Sequence, residues 1–152
     1  MPKSFAQQLL GTWVLEAFTL NSNAGSSVEL MGPAPSGYLT YGADGWMSFQ
    51  IAAQNRQPYD VPDLGGGTPE QTLAAARSFL AYAGPYTVDE AAACVVHHVQ
   101  HCLIPNWVGD AHKRNVTLLA QGGLILTSDP FPIDHTLHTL VLCFGRPPQA
   151  GA

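Results

Sequence analysis

Charged residues are scarce in this chain. Only 11% of its 152 residues are Asp, Glu, Lys or Arg, whereas 46% are hydrophobic, and the formal net charge is −5. Because no basic cluster is available to neutralise phosphates, we expect no nucleic-acid partner. So few charges suit a protein whose sheets have apolar walls on two sides, one toward a core and one toward a ligand cavity.

Long apolar runs are also missing. The longest fall far short of the ~20 residues that a membrane-spanning helix needs, so we expect no membrane partner. The first residues, MPKSFAQQLLGTW, lack the apolar region of a signal peptide, which favours a cytoplasmic location. Cysteine is rare too: Cys94, Cys102 and Cys143 are odd in number and lack CxxC spacing, so we expect free thiols.

Strand-length segments separated by turns make up most of the chain. The predicted strands are 11–20, 38–41, 46–52, 86–88, 94–103, 113–119, 124–128 and 137–144. A short N-terminal helix precedes them, and one longer helix is expected from about 69 to 82, where Thr68 can N-cap it with Gln71 as its capping-box partner.

Eight strands in mostly sequential hairpins predict an all-β fold, an eight-stranded up-and-down antiparallel barrel with the longer helix against it. Such a barrel has room for side chains or one small ligand. We place this single domain at residues 1–145 and expect 146–152 to be a disordered tail. The polar loop 55–67 is expected either to cover a barrel mouth or to be mobile.

The segment from Ala93 to Arg114 contains four of the six histidines. We expect one long strand from Cys94 to Leu103, which Pro105 ends because proline has no N–H for the ladder. Strand alternation then places His97 and His101 on one face and His98 on the other. Both faces are half polar, which suits a barrel wall around a partly polar cavity.

Motifs for metals and nucleotides are weak. On a strand His97 and His101 are ~13 Å apart, too far to share an ion, although a site with His112 or His138 added is conceivable. The stretch Gly65–Pro69 could cradle a phosphate at a helix N-terminus but lacks the lysine of a P-loop and the preceding strand of a Rossmann turn, so a flexible loop with an N-cap is the favoured interpretation. We therefore expect no metal and no organic cofactor.

Several segments together are similar to one known family. GTWVLEAF, GYLTYGADGWMS, LGGGTPE, AYAGPYTVD, VVHHV and PNWVG, in this order, resemble the lipocalin-like domain family of small bacterial and fungal proteins. The resemblance covers roughly Leu10 to Ser128 and implies a lipocalin-type barrel. Some members are similar to cofactor-free isomerases and cyclases of fungal natural-product pathways, and others are presumed binders.

The chain departs from the family pattern in three places. The turn at Asp89–Ala93 lacks the usual glycine, and His101 stands where a small or apolar residue is expected. The last strand lacks the usual Trp-Glu-Arg-like ending and keeps only Arg146. A Trp–Arg contact closes many lipocalin barrels, and without the usual ending the sequence does not predict this contact here. Trp13 is expected to plug the closed end.

Candidate site residues come from the histidine strand, its neighbour and the first hairpin. Imidazole titrates near neutral pH, so His97 or His101 can move a proton, while Arg114 and Asn106 polarise a carbonyl. The candidate catalytic residues are His97, His101 and Arg114; the candidate substrate-binding residues are His98, Asn106, Trp107, Tyr38, Tyr41, Trp46 and Gln50. The plainer interpretation is that these histidines only stabilise the barrel, that Arg114 is a surface residue and that Trp107 packs in the core.

Two hypotheses for function follow, of which the family resemblance favours the first by a small margin. The first is a cofactor-free isomerase or cyclase that acts by acid–base and hydrogen-bond catalysis on a hydrophobic secondary-metabolite intermediate inside the barrel. The second is a non-catalytic carrier of a small hydrophobic ligand, whose polar groups only orient that ligand. In both hypotheses the partner is a small hydrophobic molecule, and a homodimer is an open alternative.

Overall fold

A computed structural model describes residues 1–151 and shows a closed antiparallel β-barrel. The two helices are α1 (Phe5–Leu9) and α2 (Pro69–Arg77), with a 3-10 turn at Pro105–Trp107. The strands are β1 (Gly11–Ser22), β2 (Ser27–Glu29), β3 (Ser36–Tyr41), β4 (Trp46–Ala52), β5 (Phe79–Asp89), β6 (Cys94–His98), β7 (His101–Cys102), β8 (Ala111–Leu118), β9 (Leu124–Thr127), β10 (Phe131–Ile133) and β11 (Thr136–Gly145).

Eight of these strands form the barrel wall in chain order. β1, β3, β4, β5, β6, β8, β9 and β11 pair with their sequence neighbours, and β11 pairs with β1 to close the ring. β2 and β10 extend β1 and β11 outside this path, and β7 pairs with β5. The predicted eight-stranded up-and-down barrel is therefore confirmed.

The up-and-down order divides the connections between two ends of the barrel. The short turns 42–45, 90–93 and 119–123 lie at the same end as α1, which we call the closed end. The long connections 23–35, 53–78, 99–110 and 128–135 lie at the opposite end, which we call the open end. The predicted loop 55–67 belongs to the open end, where Arg56 is bonded to Ala75 and Ser78 at the last turn of α2 and its C-cap.

The closed end is plugged by Trp13, as the sequence predicts. Its indole is 2% exposed and donates to the Leu9 carbonyl at the end of α1, 2.8 Å away. The Arg146 guanidinium lies 3.5 Å from the centre of the Trp13 ring and donates to the carbonyls of Thr12 and Gln8. The Trp–Arg contact therefore forms although the rest of the expected strand ending is absent.

The long helix ends earlier than the sequence predicts. α2 begins as expected, with both halves of the Thr68–Gln71 capping box formed, but it stops at Arg77, and β5 starts at Phe79. The pattern of apolar residues at 79–82 fits both a helix and a strand. These residues form a strand because pairing with β4 buries Leu80 and Tyr82. α2 contributes nothing to the core, because none of its residues is buried and Leu73 is exposed.

The predicted long strand 94–103 is interrupted. Tyr86 pairs with His97, but Ala83 pairs with His101, so the strand on the histidine side gains one residue between β6 and β7. An extra residue reverses the alternation of side chains beyond it. Gly84 lies opposite this bulge, where a Cβ would collide with the His98 carbonyl. The expectation that His97 and His101 share a face is therefore wrong.

The turn that lacks the family's glycine is formed by Glu90–Ala93, with Ala93 at φ 50°. A left-handed backbone at alanine costs roughly 1–2 kcal/mol, which explains why glycine is usual there.

The segment 146–152, which the sequence predicts to be a disordered tail, begins with Arg146. The Arg146 side chain contacts the Trp13 ring of the barrel, and Ala152 lies outside the described residues. None of the described helices combines the length and apolarity needed to cross a membrane.

Candidate functional site

The polar centre of the barrel is His97 on β6. Its side chain is 1% exposed, although histidine is seldom buried so completely. Both ring nitrogens are bonded to tyrosines from other strands: Nε2 lies 2.7 Å from the Tyr41 hydroxyl and Nδ1 lies 2.8 Å from the Tyr82 hydroxyl. We call this buried row, Tyr41–His97–Tyr82, the Tyr–His–Tyr cluster.

Burial fixes the charge state of this cluster. Burial, and after it the charge of Arg114, lowers the pKa of His97 to about 3, so the imidazole is neutral at physiological pH. Burial also raises the pKa of Tyr82 to about 12 and that of Tyr41 well above its usual value. The cluster therefore consists of one neutral imidazole between two neutral phenols.

A hydrogen count shows that one phenol proton is left over. The neutral imidazole has one N–H, so it donates to one tyrosine and accepts from the other, which uses two of the three available hydrogens. The tyrosine that accepts from His97 keeps its own O–H for another partner. Tyr82 lines the interior cavity, whereas Tyr41 is packed against the Tyr86 ring at 4.8 Å.

The interior cavity lies beside His97 and Tyr82 and is mostly apolar. Its volume is only about 10 Å³. Besides His97, Tyr82 and Arg114, its lining residues are Leu39, Phe49, Leu126, Leu142 and Phe144. The barrel interior is thus nearly filled by side chains and has space for about one water.

Arg114 supplies the positive charge of this interior. It lies on β8, where alternate side chains point inward, and it shares this inward face with His112 and Val116. The Arg114 side chain is half-buried. One guanidinium N–H donates to the carbonyl of Lys113, 2.9 Å away. Within residues 1–151 no carboxylate lies in ion-pair range of Arg114. A guanidinium has several N–H donors, so most of them are free for a ligand.

A second imidazole lies next to this site. His112 is the direct strand partner of His97 and contacts the edge of Trp107, with 4.8 Å between ring centres. Its Nε2 lies 3.7 Å from a carboxylate oxygen of Asp110, and its buried Nδ1 has no hydrogen-bond partner among the described residues. Burial, and then Arg114, lowers the pKa of His112, while Asp110 opposes this shift less strongly.

Other predicted site residues lie outside the barrel. Tyr38 and Trp46 are about half exposed, at 54% and 52%, and Asn106 is exposed. Gln50 and His101 line a shallow outer groove, and His98 lies 3.1 Å from the hydroxyl of Thr87 on the outer face. His101 is outside because the bulge reverses the alternation, and Tyr38, Trp46 and Gln50 are outside because their register places Leu39, Met47 and Phe49 within.

The structure adds two residues that the sequence argument did not place in the site, Tyr82 and His112. Tyr82 fell within the predicted helix, so its alternation with Leu80 was overlooked. His112 lies one residue before Lys113, where the sequence predicts this strand to begin. The sequence argument names it only as an additional ligand of a conceivable metal site. Its spacing of two residues from Arg114 is the signal that identifies its inward face.

The fold and its interior define the class of protein: a small up-and-down barrel of lipocalin type with a closed end and a partly polar interior. The chain belongs to the lipocalin-like domain family, whose family model matches residues 10–145. This match confirms the resemblance noted from the sequence.

One characterised relative is the 4'-hydroxy-3'-methoxypropiophenone carrier protein ppsC of Aspergillus oryzae (strain ATCC 42149 / RIB 40). It is 29% identical to this chain over an alignment of 93 residues, and the match covers 57% of this chain and 82% of that protein. Among solved structures, a redesigned beta barrel covers 97% of this chain and 98% of its own, with 12% identity and a TM-score of 0.44, too low to support any argument.

Proposed function

We propose that the protein is a carrier that encloses a small, mostly apolar aromatic molecule bearing an acceptor oxygen such as a carbonyl. The observation that carries the proposal is the pair of unused donors at the interior cavity: the free N–H groups of Arg114 and the remaining O–H of the Tyr–His–Tyr cluster. Solvent reaches the guanidinium of Arg114, so a ligand oxygen inside the apolar cavity would replace water as the acceptor for these donors, and hydrogen bonds to a charged group are among the stronger ones.

Apolar side chains supply the rest of the binding energy in this proposal. Phe49 and Phe144 lie at 6.0 Å in an edge arrangement and offer ring surfaces to an aromatic ligand. The space that is present holds about one water, so ligand entry requires side chains to move. Arg114 is half-buried at this cavity and is the side chain that we expect to swing outward.

The named ligand of the A. oryzae relative supports this ligand class. A hydroxy-methoxypropiophenone combines an aromatic ring with a ketone oxygen, which is the combination that the free donors and the apolar lining favour. Because the relative is described as a carrier, it also favours transport over turnover. We therefore use this compound as the first probe for the present protein.

The isomerase or cyclase hypothesis remains the second candidate. The Tyr–His–Tyr cluster favours it, because a neutral imidazole between two phenols can take a proton on one nitrogen while it releases one from the other. Against it stands the low pKa of His97, about 3, which makes this imidazole a weak base. The carrier is therefore the function that the geometry supports best.

Native mass spectrometry with 4'-hydroxy-3'-methoxypropiophenone tests the proposal. A one-to-one complex from which the compound is recovered chemically unchanged supports the carrier. A bound compound that is released as an isomer, with equal mass but a different retention time, supports the second candidate. The variant Arg114→Met should lose the complex. The matched control is Arg56→Met, on the outer surface, which should keep it.

A further inference from the structure

The buried Nδ1 nitrogen of His112 is a polar atom that neither the fold nor the proposed carrier site explains. Its side chain is 14% exposed, and Nδ1 itself is out of contact with solvent and has no partner among residues 1–151. Unpaired buried nitrogens are rare in folded proteins, since each loses its bond to water. His112 itself does not line the interior cavity, but its strand partner His97 and its neighbour Tyr82 do. A ligand that displaces side chains as it enters could therefore supply the missing group.

The proton position on His112 decides what that ligand group must be. The carboxylate of Asp110 lies 3.7 Å from Nε2, so its negative charge favours the tautomer with the proton on Nε2. Nδ1 then carries a lone pair and is an acceptor. The positive charge of Arg114, two residues along the same inward face, opposes a second proton on this ring. The orphan nitrogen therefore requires a hydrogen-bond donor.

The surroundings of His112 shape this position for an aromatic molecule. Trp107 meets the imidazole edge-on at 4.8 Å, and Tyr82 meets it at 5.9 Å between ring centres. Tyr82 also lines the interior cavity and belongs to the Tyr–His–Tyr cluster, so it connects His112 to the proposed site. Aromatic walls together with one acceptor suit a phenolic hydroxyl.

We propose that His112, oriented by Asp110, is a specificity-determining residue that accepts a hydrogen bond from a hydroxyl group of the ligand. This inference rests on the proposed carrier function and narrows its ligand class. Arg114 and Tyr82 take an acceptor oxygen, and His112 takes a donor. The ligand is then a hydroxyaryl ketone or a molecule with the same two groups, and an ether in place of the hydroxyl is rejected.

The test compares 4'-hydroxypropiophenone with its methyl ether, 4'-methoxypropiophenone, by calorimetric titration of the full chain. We expect the hydroxyl compound to bind at least about tenfold more tightly, because the ether leaves Nδ1 without a donor. His112→Phe should remove this preference and keep binding of the ether. Asp110→Asn should reduce the preference, because an amide no longer holds the proton on Nε2; Asp129→Asn is the matched control and should leave it unchanged.

The outcomes separate the inference from the carrier proposal. Equal affinity of the wild type for both compounds overturns the role of His112 and leaves the carrier standing. Binding of neither compound overturns both. Nitrogen-15 spectra of the free protein give an independent check that needs no variant to fold: a proton on Nε2 of His112 supports the inference, and a proton on Nδ1 overturns it.

Discussion

The closed end and the interior of the barrel each hold an arginine beside aromatic residues, and the two arginines differ in how many hydrogen bonds they make within the protein. At the closed end, Arg146 lies over Trp13 and donates to the carbonyls of Gln8 and Thr12. In the interior, Arg114 donates to the carbonyl of its own neighbour, Lys113, and no carboxylate pairs with it within the described residues.

This difference separates a structural site from a binding site. The bonds of Arg146 connect the chain terminus to α1 and β1, so its donors are already used to stabilise the fold. Arg114 also lines the apolar cavity, but it makes one hydrogen bond, at a position that solvent reaches, so its remaining donors can turn from water to a ligand. The donors of Arg146 serve the fold, whereas those of Arg114 are available to a ligand.

The largest effect is expected at the plug of the closed end. Trp13→Ala should lower the free energy of unfolding by about 3–5 kcal/mol, because it removes a large buried ring and leaves a cavity. Urea denaturation measures this loss. The matched control is Trp46→Ala on the outer face, which should change stability by no more than about 0.5 kcal/mol. Equal losses in both variants would contradict the assignment of Trp13 as the plug.

Next in size is the pH dependence from His97. Its folded pKa of about 3 lies below the ordinary value of 6.5, so the unfolded chain binds the proton more tightly. The stability from neutral His97 is therefore fully present above about pH 6.5 and is lost as the pH falls toward 3, by an amount on the order of a few kcal/mol. Urea denaturation at pH 7 and pH 4.5 should show this slope, and His97→Gln should reduce it. An unchanged slope in the variant would assign the effect to other groups.

Replacing each arginine should affect a different property: stability for Arg146 and ligand binding for Arg114. Arg146→Met should cost about 1–2 kcal/mol of stability, because a cation–π contact and two hydrogen bonds are lost, and should leave probe affinity unchanged. Arg114→Met should weaken binding of 4'-hydroxy-3'-methoxypropiophenone by roughly tenfold or more and leave stability equal or higher. Thermal denaturation measures stability, and calorimetry measures the affinity for the probe. A loss of stability with unchanged affinity in both variants would contradict the comparison.

The smallest effect is expected for His101, since the bulge places it on the outer face. His101→Ala should change stability by less than about 0.5 kcal/mol and probe affinity by less than about twofold. A large loss of affinity in this variant would mean that His101 faces the ligand and that the register past the bulge is different.

The architecture follows from sequence patterns that act locally. The alternation of the hairpin 36–52, the capping box of α2 and the plug at Trp13 all depend on residues close in the chain, and all appear as expected. The end of α2 was misplaced because Phe79–Tyr82 satisfy both periods, and only pairing with β4 distinguishes them.

The site was harder to predict because it depends on side-chain direction across strands. The structure turns His97, Arg114 and Tyr41 inward, but a single inserted residue between β6 and β7 turns His101 outward. The signal for that bulge, the need for Gly84 opposite His98, exists only once the strands are paired. The sequence does not fix the register of the first hairpin, and the structure places Tyr38, Trp46 and Gln50 on its outer face.

The most direct test of the central claim follows the Nε–H signals of the arginine side chains in proton–nitrogen spectra while 4'-hydroxy-3'-methoxypropiophenone is added. If the interior is the binding site, the Arg114 signal shifts in a saturable way and the Arg146 signal stays in place. If Arg114 stays in place while signals of the outer groove at Gln50 and His101 move, the ligand binds outside the barrel and the claim is wrong.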